Sequence, residues 1–206
     1  MKKIYIISGI ILLIGVGFLV YSKVINPYLD SRTVTAVVPT TIENTDMDFA
    51  FTYPSGEEGY TVIEPPIATT STDGIKKIYL ILNTAEYITF QTADAGGEAP
   101  PLISIFVIDL PEVADDIEAP DKITVLRTWA EQNPQLSSYS FRTSEPEEIE
   151  IDGVKALRYR TDGSYKQEVY LASHKGRVYV LTGQYQDEPD SIRAIFTNLI
   201  ASLTFY

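Results

Sequence analysis

Between residues 147 and 185 the chain reverses three times in quick succession, at Asp152-Gly153, at Asp162-Gly163 and at His174-Lys175-Gly176. Short glycine-containing turns of this kind join neighbouring antiparallel strands. The spacing predicts a four-stranded meander over 147–151, 154–161, 165–173 and 177–185. Leu157 with Tyr159, Val169 with Leu171, and Tyr179 with Leu181 give each of the later strands an inward pair two residues apart, while Arg158 and Arg160 take the other face of theirs.

The flanking segments add strands and the helices to cover them. Phe49 to Tyr53 and Tyr60 to Ile63 read as short strands on either side of Pro54-Ser55-Gly56. Lys76 to Leu82 and Glu86 to Gln91, both β-branched or aromatic, read as a hairpin, and Ala93 to Pro101 as a loop. Leu102 to Ile108 is apolar at both phases of a period-two pattern, so it is expected at the centre of a sheet covered on each side. Two amphipathic helices supply the covering. One runs from Asp121, the expected cap, to Gln132 with Ile123, Leu126, Trp129 and Ala130 inward. The other runs from about Pro189 to Ser202, capped by Asp187 or Glu188, with Ile192, Ile195, Phe196, Leu199 and Leu203 in one stripe. The predicted fold class is α+β, a mostly antiparallel sheet with helices packed on it.

Of the 206 residues 45% are hydrophobic, and that fraction is unevenly spread. Ile4 to Ser22 carries no charge, follows Met1-Lys2-Lys3, and has Tyr5 and Tyr21 near its ends. A helix of that length spans roughly 28 Å, close to a bilayer's apolar thickness of about 30 Å. A cleaved signal peptide is the rival reading, but its apolar core is shorter and no small-x-small cleavage site follows Leu19-Val20-Tyr21-Ser22. The expected organisation is an anchor over 1–23, a linker over 24–46 and a domain over 47–206. Lys2 and Lys3 favour a cytoplasmic N-terminus, which puts the domain outside the membrane, as a single-pass protein or, after signal cleavage, as a secreted one.

Particular residues carry a family resemblance. Phe49-Ala50-Phe51-Thr52-Tyr53-Pro54 followed by Gly59-Tyr60-Thr61-Val62 resembles the opening of PsbP-like domains. The helix around Trp129, the hairpin Glu150 to Tyr159, and the ending Val178 to Thr182, helix, Ala201 to Phe205 are similar to that family as well. The resemblance covers roughly residues 47–206. It implies an α/β/α sandwich whose last helix and short "Ser-x-x-Phe" tail close the sheet. It also implies a binding or assembly module, since such domains occur in secreted, lipid-anchored and membrane-tethered bacterial proteins without a shared catalytic motif. The absence of cysteine departs from the lipid-anchored members, and the expected hairpin over 76–91 is longer than usual.

The residues offer little chemistry. With no cysteine and one histidine, thiol catalysis, disulfides and multi-histidine metal sites are excluded within one chain. His174 falls in a turn beside Lys175, where an exposed position outweighs a general base. Ser137 and Ser138 have no evident base partner. Asp115, Asp116, Glu118 and Asp121 could offer oxygen ligands to calcium, but they do not match the spacing of a calcium loop. Glu145, Glu147, Glu148 and Glu150 read as solvated acids before a hairpin. Tyr139, Tyr159, Tyr165, Tyr170, Tyr179 and Tyr185 read as half-buried strand residues ahead of a contact surface.

Charge sharpens this reading. Beyond Asp46 the chain has 12 basic against 25 acidic side chains, and this −13 repels nucleic acid and anionic headgroups. Arg158, Arg160 and Lys166, the nearest thing to a basic patch, are expected to pair with Glu147, Glu148 and Glu168. The expectation is a non-enzymatic binding or assembly module on a membrane helix, with a protein partner, no nucleic acid, and no catalytic, cofactor or metal residue. The alternative is an acid-dependent hydrolase or a calcium-dependent carbohydrate-binding domain.

Overall fold

The computed structural model describes residues 37–67, 74–92, 98–110, 119–186 and 191–206. The expected anchor, most of the linker, the acids at 115, 116 and 118, and the capping residues 187 and 188 lie outside them. Among the described residues no helix is long and apolar enough to cross a membrane.

The strands are β1 (Val38–Asn44), β2 (Phe49–Ser55), β3 (Tyr60–Ile63), β4 (Ile75–Asn83), β5 (Leu102–Asp109), β6 (Glu147–Ile151), β7 (Val154–Asp162), β8 (Lys166–His174), β9 (Arg177–Tyr185) and β10 (Thr204–Phe205). They form one sheet in the order β1-β2-β3-β4-β5-β9-β8-β7-β6, with β10 attached to β2. The helices are α1 (Thr84–Thr92), α2 (Ala119–Gln132), α3 (Pro134–Ser137) and α4 (Ser191–Ser202). The meander β6 to β9 appears where the turns place it. Asp152-Gly153 and Lys175-Gly176 both adopt positive φ, as two-residue hairpins of matching twist require.

Sheet and helices form two cores, one on each face. On one face β2 and α4 lie over the sheet together, so that Phe49, Phe51, Phe196 and Leu199 pack with Tyr79, Ile105, Tyr179 and Leu181. The Phe49 ring meets Tyr79 at 5.9 Å and Tyr179 at 5.4 Å, both edge to face. On the other face α2 lays Ile123, Leu126, Trp129 and Ala130 against Leu157, Tyr159, Val169, Leu171, Val178 and Val180. Strand β5 sits between β4 and β9 and is buried at both phases, the central position expected of it.

Four expectations are corrected. The second arm of the expected hairpin, Glu86 to Gln91, is helical and belongs to α1. Its first turn is fixed by Asn83, whose side-chain oxygen accepts the Glu86 amide at 3.1 Å, and the hydroxyls of Thr89 and Thr92 return to Ala85 and Ile88 carbonyls. The linker is shorter than 24–46, because Val38–Asn44 pairs along the whole of β2, from Val38 opposite Ser55 to Asn44 opposite Phe49. Tyr179 and Leu181 do not share a face with Leu157 and Tyr159, since Tyr179 pairs with Ala172 and Leu181 with Tyr170 on the α4 side. Finally, α2 begins at Ala119, so Asp121 lies within the helix and not at its cap.

Candidate functional site

Two clusters of charged and hydrogen-bonding groups stand out, one under α4 and one where the chain's last residues close the sheet. Under α4, Glu168 of β8 is only 3% exposed. A buried carboxylate needs compensating partners, and Glu168 has three. Arg158 on β7 donates Nε to its Oε1 at 2.6 Å, Tyr170 donates its hydroxyl to the same oxygen at 3.2 Å, and Arg193 on α4 places Nε 3.6 Å from Oε2. Arg158 also lies 3.6 Å from Glu147, its direct register partner on β6. Burial, with the Glu168 charge adding to it, pushes the Tyr170 hydroxyl up to about 12, so it stays a donor at neutral pH. Arg193 and Tyr185 stack, with the guanidinium 5.1 Å from the ring centre.

At the closing end, Asp48 stands in a left-handed conformation between the short 3-10 turn Thr45–Met47 and β2. Its carboxylate accepts Lys175 Nζ at 2.8 Å and a short bond from Arg177. The Lys175 hydrogen bond is the largest influence and, with Arg177, outweighs the opposing effect of burial, so the Asp48 carboxyl is held below its ordinary value. Beside it the Tyr179 hydroxyl donates to the Met47 carbonyl at 2.7 Å. Strand β10 then docks on β2, with Thr204 opposite Ala50 and Phe205 opposite Phe49. The Phe205 amide is received by Asp152 Oδ2 at 2.7 Å, and the amide of Tyr206, just beyond the strand, by the Asp48 carbonyl at 3.2 Å.

The residues weighed from sequence fall into these structural roles. His174 is half-buried at the end of β8, its Nε2 2.7 Å from the Tyr206 carbonyl and its ring 5.3 Å from that of Phe205, so it is a tail contact and not an exposed turn residue. Ser137 is buried and donates to the Ala130 carbonyl at 2.8 Å, while its own carbonyl accepts the Tyr159 hydroxyl at 2.6 Å. Ser138 takes the left-handed conformation that ends α3. Burial raises the Tyr159 hydroxyl well above its usual range. Tyr165 and Tyr170 are half-buried as expected, whereas Tyr159, Tyr179 and Tyr185 are fully buried strand residues and Tyr139 is buried in a 3-10 turn. The pairing of Arg158 with Glu147 and Glu168 is as expected, whereas Glu148 meets Arg127 of α2, at 4.0 Å. Arg193 and Asp48 went unnoticed in the sequence, because their partners lie far away along the chain.

Among the described residues no group of three or more histidine or carboxylate side chains is placed to hold a metal ion. One cluster ties α4 to the sheet; at the other, Asp48 ties the turn between β1 and β2 to the β8–β9 hairpin and to the chain's last residue.

The chain is similar to cyanobacterial PsbP (CyanoP) from Synechocystis sp. PCC 6803. That solution structure shares 15% identity, with a TM-score of 0.47 over 88% of this chain and 100% of the other. A crystal structure from Bacteroides thetaiotaomicron VPI-5482 is similar at 11% identity and a TM-score of 0.42, over 81% of this chain and 48% of the other, so the present chain spans about half its length. No family model matches the sequence, and no curated protein matches it at a significant level.

Proposed function

We propose that the chain is a non-enzymatic binding or assembly module, tethered to a membrane by a helix over Ile4 to Ser22, with its N-terminus in the cytoplasm and the domain outside. The observation that carries the non-enzymatic part is the commitment of five buried or half-buried polar side chains among the described residues. Glu168, Asp48, His174, Ser137 and Tyr159 each hold one element of the fold to another. A general acid, base or nucleophile must instead reach a substrate atom, and these side chains are turned to the protein's own backbone and ion pairs. The motifs behind the PsbP-like resemblance occupy β2, β3, the Trp129 helix α2, the β6–β7 hairpin, β9 and the α4–β10 ending.

Crosslinking on intact cells, followed by purification of the full chain, tests the binding role: a discrete protein partner is expected, and its absence together with turnover of a substrate abolished by one carboxylate substitution would overturn it. Protease added to spheroplasts is expected to degrade the domain. Full protection would reverse the orientation.

A further inference from the structure

One row of register partners crosses the sheet at the end where the chain enters the domain. It runs from Val38 to Ser55, Tyr60 and Asn83, continues past the start of β5 to Tyr185, and ends at Lys166 and Asp162. Five large apolar side chains among the described residues are strongly exposed, and four of them lie along this rim. Val37 and Val38 are at the entry point, Ile88 (41% exposed) is on α1 directly after Asn83, and Phe141 (64% exposed) precedes Arg142, which bridges to Thr161. Only Tyr206 is at the opposite end.

The backbone that carries Phe141 is anchored on both sides. The 3-10 turn Tyr139–Phe141 starts from left-handed Ser138, the buried Tyr139 ring meets Tyr159 at 5.2 Å, and the Arg142 guanidinium covers Tyr139 at 4.3 Å. An exposed apolar ring gains by leaving water, and Phe and Leu side chains of interfacial segments bury at the boundary of headgroups and acyl chains.

We infer that this rim is a second membrane contact, with Phe141 and Ile88 seated in the headgroup region of the bilayer that holds the anchor. The inference rests on the tethered reading proposed above. Residues 23–36 alone separate the proposed anchor from Val37, and fourteen residues bound the reach between the two to about 50 Å even at full extension. Tethering so close makes the contact intramolecular, with an effective concentration on the order of millimolar, so a weak apolar contact is sufficient. The charge of the rim selects the lipid. Glu57, Glu58, Glu86, Glu98 and Asp162 lie along it against Lys166 and Arg142, an acidic excess that disfavours anionic headgroups and points to neutral ones.

The absence of native cysteine makes single-site labelling clean. The full chain would be reconstituted in phosphatidylcholine nanodiscs with a fluorophore at Ser140→Cys, Thr89→Cys, Thr204→Cys or Gly15→Cys, and a nitroxide-bearing lipid as quencher. Quenching at Ser140→Cys and Thr89→Cys should exceed that at Thr204→Cys by at least about threefold, as for groups at the interface. It should fall when anionic lipid is added and when Phe141→Ser and Ile88→Ser are combined. Quenching at Gly15→Cys with none at Ser140→Cys or Thr89→Cys would overturn the rim contact and leave the anchor standing. Loss of quenching at Gly15→Cys as well would overturn both.

Discussion

Gly183 of β9 lies directly beneath the Phe196 ring of α4, so close that a β-carbon there would sit 2.9 Å from Cε1 and nearer still to Cδ1 and Cγ. The missing side chain sets how near the last helix comes to the sheet. Gly183→Ala should therefore force α4 outward and cost about 1–3 kcal/mol, the range for overpacking a filled core. A thermal denaturation curve unchanged from wild type would show that the contact relaxes freely.

Glu168 joins three elements through Arg158, Arg193 and Tyr170, and its removal leaves two guanidinium groups facing a buried site. Glu168→Ala is expected to cost about 3 kcal/mol, as for breaking one side of a buried ion pair. Arg193→Ala should cost less, because Arg158 still neutralises the carboxylate. Chemical denaturation of the two variants side by side checks this order, and equal costs would contradict it.

Tyr159 donates to the Ser137 carbonyl at 2.6 Å in a buried position. Tyr159→Phe preserves the ring and deletes only that donor, leaving a carbonyl unsatisfied, at an expected cost of about 1–2 kcal/mol. A stability equal to wild type would mean that another donor reaches Ser137.

Asp48 should govern part of the acid sensitivity. Its folded-state pKa is below the ordinary 3.8, chiefly through Lys175, so the paired carboxylate contributes its full stability above that value. The contribution is lost as pH falls through the lower folded value. Asp48→Asn keeps a residue that tolerates positive φ and removes the charge, so it should cost about 1 kcal/mol at pH 7 and progressively less below about pH 4. Urea midpoints for both proteins between those conditions provide the test, and a gap independent of pH would refute the charge-based account.

Much of the architecture was legible because local signals and tertiary contacts agree. The hairpin at Asp152-Gly153 and that at Lys175-Gly176 need positive φ at both residues, which Asp152 and the two glycines supply readily and Lys175 adopts under the constraint of the turn. The stripe Ile192, Phe196, Leu199 likewise describes the buried side of α4. The errors fall where burial is two-sided or the partner is remote. Strand β9 is buried continuously from Val178 to Gly183, so its alternation cannot say which of Val180 and Leu181 meets α2. Strand β1 is mostly exposed and is held by its pairing with β2 and by Asn44, whose amide donates to the Tyr79 hydroxyl at 2.7 Å. Helix α1 did carry a signal, Asn83 followed three residues later by Glu86, which its β-branched and aromatic composition obscured. The two charge clusters were half legible: Arg158 and Glu168 are on neighbouring strands, whereas the partners of Asp48 are more than a hundred residues away.

The order of strands leaves β6 as an outer edge, and β6 carries Glu147, Glu148 and Glu150, all exposed. An open row of backbone donors and acceptors invites a like strand from another molecule. Antiparallel growth through this edge would bring two sets of carboxylates face to face, so the molecule carries its own safeguard against runaway polymerisation when crowded.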